Sequence, residues 1–176
     1  MAKHINCSLN MEETQKMGYK KNDLYIIGKK VHLRTKPIAI VTHKEQYECL
    51  LKLYQDIAYD DMQIYTSEIK SKLSGYKQQD REKKRDISDN IVYCDVIEKL
   101  VASKLQCYYC KVNVNILYRN IKQEDQWTLE RINNDISHTT NNCEICCLRC
   151  NLKRRCMPSY VYKKSKEIGK VVKLRD

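Results

Sequence analysis

Two Cys-x-x-Cys pairs carry the clearest chemistry in the chain, Cys107-Tyr-Tyr-Cys110 and Cys147-Leu-Arg-Cys150. Each such pair fits a tight turn that points both sulfurs at one ion. Four thiolates then close the tetrahedral shell of a structural Zn²⁺ and leave no open position. A second frame, Cys143-x-x-Cys146, overlaps the later pair, and spacing does not choose between the two. The gap between the earlier and later pairs exceeds that of a compact zinc ribbon, so it must hold a folded insert. That insert contains Glu130, Arg131, His138 and Asn142, and Asn151 stands just past Cys150. Cys7, Cys94 and Cys156 have no partner at ligand spacing, and Cys49 reads as a small core residue.

The surrounding sequence supplies elements to position these groups. Cys107 to Cys110 reads as a knuckle, and Val112, Val114, Ile116 and Tyr118 alternate as a strand does. Trp127 to Ile132 reads as a second strand, with Trp127 and Leu129 on the face opposite Glu130 and Ile132. Nearly every residue from Asn133 to Asn142 is a turn former, which makes that segment a loop. Glu144 to Leu148 returns as the partner strand, and a helix starts at Cys150-Asn151 and is limited by Pro158. Knuckle, hairpin and helix in this order describe a treble-clef-like zinc finger.

Upstream, the polar residues 1–22 suggest a loose arm or short helix. Leu24–Ile27 and Val31–Leu33 suggest two short strands about Gly28, and a further apolar run covers Ile38–Val41. Thr42 and Glu45 form a capping-box pair that opens a helix with Tyr47, Leu50, Leu51, Tyr54, Ile57 and Ala58 on one face. His32 and His43 lack a ligand partner at useful spacing. A weaker helix covers Thr66–Tyr76, with Ile69 and Leu73 on one side. The run Lys77–Arg85 has no apolar face and reads as a solvated helix end or as a basic arm for phosphates. Ile87–Val92 reads as extended, and Asp95–Ser103 as a helix burying Val96, Ile97, Leu100 and Val101. The expected class is α+β: a C-terminal module (87–176) stapled by a four-cysteine zinc, preceded by a mostly helical accessory region with short strands (1–86).

At 176 residues, with 42% hydrophobic content and mean hydropathy of −0.67, the chain reads as a soluble intracellular protein with a modest core. No apolar run suits a bilayer, and the first residues lack a signal-peptide core, so no membrane partner is expected. In a reducing compartment ten cysteines point to metal binding rather than disulfides. Lys and Arg outnumber Asp and Glu by 33 to 22, a formal charge of +11. One zinc with four thiolates changes that by only two, so the surplus favours a polyanion, nucleic acid first. Arg149, Lys153, Arg154 and Arg155 crowd the last helix, and Lys163, Lys164, Lys166, Lys170, Lys173 and Arg175 follow; such groups position a nucleic acid without reading its sequence.

The order Glu130-Arg131, Asn142, Cys147-x-x-Cys150-Asn151-x-x-Arg154 resembles the HNH endonuclease family, whose ββα-metal module runs Asp-His, Asn, Cys-x-x-Cys-Asn-x-x-Lys. The stretch from Gln126 to Arg155 is also similar to HNH-like proteins encoded by large DNA viruses. The resemblance favours Cys147 and Cys150 as the later zinc pair, because the second cysteine then directly precedes Asn151. It implies hydrolysis of DNA phosphodiesters, with Glu130 and Asn151 as ligands of a catalytic Mg²⁺ or Mn²⁺ and Asn142 as the brace of the hairpin. The family's base histidine falls on Arg131, which stays protonated and suits a phosphate instead. His138, in the loop between the two strands, is then a candidate for the base, its alternative being an exposed residue or one that braces the loop. The alternative implied by Arg131 is a zinc-containing nucleic-acid-binding protein without cleavage.

Overall fold

The computed structural model describes residues 23–26, 29–32 and 41–168 of the chain. The expected N-terminal arm, most of the apolar run before Thr42 and the basic residues after Ile168 lie outside these. Two compact units result: residues 1–38 with 119–122, and residues 39–118 with 123–176. In the first, β1 (Asp23–Ile26) pairs antiparallel with β2 (Lys29–His32), Asp23 opposite His32 and Ile26 opposite Lys29. These are the two short strands expected around Gly28.

The second unit is α+β. Helix α1 (His43–Tyr54) begins as its sequence dictates: Thr42 accepts from the Glu45 N–H, and Glu45 reaches back to the Thr42 N–H. Its buried stripe is Gln46, Leu50 and Leu53, rotated from the expected face, while Tyr54 and Ile57 are exposed. Gln46 explains the rotation. Its Oε1 accepts from the backbone N–H groups of Ile116 (2.8 Å) and Leu117 (2.9 Å), and its Nε2 donates to the Leu117 carbonyl (3.3 Å).

Those bonds also correct the expected strand over Val112–Tyr118. The segment makes only isolated bridges, Gln106 with Asn113 and Asn115 with Gln126. The N–H groups of Ile116 and Leu117 are met by a glutamine side chain and that of Val114 by the Leu105 carbonyl, instead of by a neighbouring strand, which satisfies them equally well. Val114 and Ile116 are buried as alternation suggested.

Helix α2 (Met62–Glu82) is longer than expected and carries much of the basic run as helix. Its inner face places Tyr65, Ile69, Tyr76 and Asp80 at successive spacings of four, seven and four residues. Tyr65, Ile69 and Asp80 are buried, so the run is not wholly solvated. The helix stops where Lys84 takes φ 53°, the left-handed conformation of a helix end. Helix α3 (Tyr93–Ala102) buries Val96, Ile97 and Leu100 and delivers the chain to Cys107. β3 (Trp127–Arg131) pairs antiparallel with β4 (Cys143–Cys147), with Trp127 opposite Cys147 and Glu130 opposite Glu144. Helix α4 (Leu148–Arg154) follows β4 directly, and α5 (Ser159–Ile168) follows Pro158. Residue 86 falls inside this unit, and side chains from both sides of it meet in one core. Among the described residues no helix is long and apolar enough to cross a membrane.

Candidate metal centre and the buried charges beside it

The four sulfurs of Cys107, Cys110, Cys147 and Cys150 lie within 4.8 Å of one another. A tetrahedral zinc with bonds of about 2.3 Å sets its sulfurs about 3.8 Å apart, and Cys110 Sγ stands 3.8 Å from Cys147 Sγ. The first pair comes from the knuckle after α3. The second spans the start of α4, where Cys147 caps the helix by accepting from the Cys150 N–H at 3.4 Å. The geometry therefore selects the later of the two overlapping frames. Cys143 is buried on β4 outside the cluster, and burial pushes its thiol up to about 12. At the cluster, hydrogen bonds from the sulfurs of Cys146, Cys147 and Cys150 hold the Cys107 thiol far below its ordinary value. Four sulfurs so placed could hold a metal ion, and the all-sulfur donor set fits a closed structural zinc.

Beside the cluster, β3 and α4 bring the hydrophilic candidates together on one face. Thr128 and Glu130 share the face of β3 that is buried toward α4, and Asn151 and Arg154 sit one turn apart on α4. Asn151 Nδ2 donates to Thr128 Oγ1 at 3.3 Å, and one step along the strand Arg154 Nε donates to Glu130. Glu130 and Arg154 are 3% and 4% exposed. Burial pushes the Glu130 carboxyl up to about 7 even though the Arg154 charge opposes this. The remaining Arg154 nitrogens donate to the carbonyls of Met157 (2.7 Å) and Arg131 (2.7 Å) and to Asn134 Oδ1 (2.5 Å). Arg154 is thus an internal clamp rather than one of the free cations expected on that helix.

Asn142 closes the β3–β4 loop. Its Oδ1 accepts from the Asn133 N–H at 2.8 Å, and its Nδ2 donates to the carbonyls of Asn133 (2.9 Å) and Ser137 (3.0 Å). His138, at the loop's inner side, is 3% exposed. Its backbone N–H and its Nδ1 both meet Asp80 Oδ2, at 2.9 and 2.8 Å, and the Tyr76 ring lies 4.8 Å from the imidazole. Arg85 (3.3 Å) and Arg131 (3.9 Å) approach Asp80 Oδ1. Burial would raise the Asp80 carboxyl, but hydrogen bonds from His138 and the charges around it hold it below the usual range. Burial lowers His138 from its ordinary value, against the pull of Asp80. A neutral His138 donating from Nδ1 to a charged Asp80 leaves Nε2 as the acceptor nitrogen. Arg131 also donates to the carbonyls of Asn134 (2.8 Å) and Ile136 (3.2 Å).

Asp80 is the group that sequence reasoning missed, hidden in a run that looked uniformly polar. The signal was the helical stripe Tyr65, Ile69, Tyr76, Asp80, which continues past the last apolar residue. Comparison with protein-family models, with curated proteins and with solved structures returned no match for the chain.

Proposed function

We propose that the chain is a zinc-held, HNH-like metal-dependent endonuclease acting on DNA. The single observation that supports this most is that β3 and α4 lie side by side beside four clustered cysteines, with Asn151 donating to Thr128 and Arg154 to Glu130 two residues along the strand. The donor set of one carboxylate, an amide oxygen and a hydroxyl fits Mg²⁺ or Mn²⁺, which take one or two carboxylates and complete their shell with water and substrate phosphate. When bound, such a cation supplies Lewis-acid stabilisation of the phosphoryl oxygens and the leaving oxygen.

The protein's own groups have separable tasks in this reading. Glu130 and Asn151 hold the cation, and the four-cysteine zinc fixes the strand and helix that carry them. Arg154, released from Glu130, turns its charge to the phosphate. His138, oriented by Asp80, accepts the proton of the attacking water that Arg131 cannot accept. Asn142 keeps the loop bearing His138 in place.

A second reading, nucleic-acid binding without cleavage, is favoured by the Glu130–Arg154 pair itself, because a guanidinium already neutralises the carboxylate. Supercoiled-plasmid nicking with Mg²⁺ or Mn²⁺ separates the two. The wild type should nick, while Glu130→Gln and Asn151→Ala should each fall by about a hundredfold or more, a loss of the size that follows removal of one electrostatic stabiliser. Nicking that survives both substitutions overturns the enzymatic reading.

A further inference from the structure

Two neighbouring clefts share one wall, the side chain of Tyr108. The larger, about 820 Å³, is lined among others by Arg154, Tyr160, Lys163 and Lys164. The smaller, about 500 Å³, is lined by Lys99, Lys104 and Lys111 among others. Lys163 Nζ lies 4.3 Å and Lys111 Nζ 5.7 Å from the centre of the Tyr108 ring, so a cation from each cleft converges on one aromatic. Among the described residues none of these five lysines has a carboxylate within ion-pair distance. Asp135, Glu144 and Glu167 also line the clefts, which leaves the lysines in excess even before Arg154 is considered. Tyr160, 68% exposed, lines the larger cleft.

We infer that this lysine track, running across Tyr108 from Lys104 to Lys164, is the seat of an unpaired DNA strand, with a base stacked on Tyr160. Free ammonium groups spaced along a groove follow a sugar–phosphate backbone, and an exposed ring among them takes the π-face of any base. A duplex would not use Tyr160 in this way, since its bases are already stacked. Arg154, the partner of Glu130, is among the residues lining the larger cleft, so a strand in it passes close to the face where cleavage is proposed. The inference rests on that reading only for this last point. It moves the nucleic-acid face away from the outer side of α4, where basic residues are densest in sequence, to the knuckle and α5.

Binding of a fluorescein-labelled oligothymidylate of about 12 nucleotides, long enough for one site, tests this by fluorescence anisotropy with zinc-loaded protein and no other divalent cation. Lys104→Ala/Lys111→Ala/Lys163→Ala should weaken binding by at least tenfold and lower the slope of log affinity against log salt by about two. The control Lys44→Ala/Lys77→Ala alters exposed lysines elsewhere and should change affinity less than threefold. Tyr160→Ala should cost about tenfold on the single strand, Tyr160→Trp should restore it, and a duplex of the same length should respond little. Equal losses for the track and control variants, or equal responses of single strand and duplex to Tyr160→Ala, overturn the inference. Plasmid nicking that depends on Glu130 while the track variants bind normally would defeat the track and leave the nuclease reading standing.

Discussion

At the scale of single residues, two buried acids, Asp80 on α2 and Glu130 on β3, have opposite electrostatic fates. Asp80 is kept charged by His138 and two arginines, whereas Glu130 is pushed toward neutrality by a dry site and held by one. Removing one partner of a fully buried pair such as Glu130–Arg154 strands the other, at a cost of about 3–5 kcal/mol. That is why Glu130→Gln, which keeps an acceptor for Arg154, is a better probe than alanine. His138 yields a pH prediction. Its pKa in the folded chain is depressed, so the stability gained by keeping it neutral is complete above the unfolded value of about 6.5 and is lost as pH falls below it. Asp80, also depressed, adds a loss of the same sign at lower pH. Glu130, raised, works the other way, but it does so equally in a His138 variant. Between pH ~7 and ~5 the wild type should therefore lose more stability than His138→Gln, by at most about 1.4 kcal/mol per pH unit for one proton. Parallel thermal melts over that range would show it; identical pH slopes would mean that His138 carries no such cost.

At the scale of elements, the buried glutamine of α1 does what a β-strand was expected to do for residues 112–118. Gln46→Leu keeps the volume roughly but leaves the Ile116 and Leu117 N–H groups buried without acceptors. Each such group costs about 1–3 kcal/mol, so urea unfolding should show a loss of at least about 2 kcal/mol. A loss below about 0.5 kcal/mol would mean that the segment finds other partners. What could be read from sequence divides along the same line. The capping box at Thr42, the knuckle, the hairpin from Trp127 to Cys147 and the helix after it follow from local spacing and turn chemistry, and they were legible within a residue or two. The choice between Cys143/Cys146 and Cys147/Cys150 was not settled by spacing, because both frames are equally spaced. The meeting of the Cys147 and Cys150 sulfurs with those of Cys107 and Cys110, together with the helix cap at Cys147, distinguishes them in space. The Asp80–His138 contact, 58 residues apart, and the capture of Arg154 by Glu130 were illegible for a similar reason. A charged residue reads as solvated until the fold shows what it faces.

At the scale of the molecule, the four-cysteine cluster adds a second link between elements that the hydrophobic core already brings together. The cluster ties the knuckle after α3 to the β4–α4 junction, and the β3 face that carries Glu130 is aligned through that junction. A structural zinc contributes about 10–16 kcal/mol of apparent binding energy, which matches or exceeds the whole stability of a typical domain at about 5–15 kcal/mol. Chelation should therefore unfold the unit that contains the cluster, visible as lost far-ultraviolet ellipticity that returns on adding Zn²⁺. A chelated chain that melts like the zinc-loaded one would show the four sulfurs to be dispensable. The excess of basic groups belongs to the same scale, since the +11 formal charge sets long-range attraction to a polyanion whatever the local contacts.

Electron paramagnetic resonance of Mn²⁺ titrated into the zinc-loaded protein reports directly on whether a hard cation displaces Arg154 from Glu130. One bound Mn²⁺ per chain, lost in Glu130→Gln and weakened in Asn151→Ala, is the predicted result. Mn²⁺ that stays free with the wild type, or binds the wild type and Glu130→Gln alike, would contradict it.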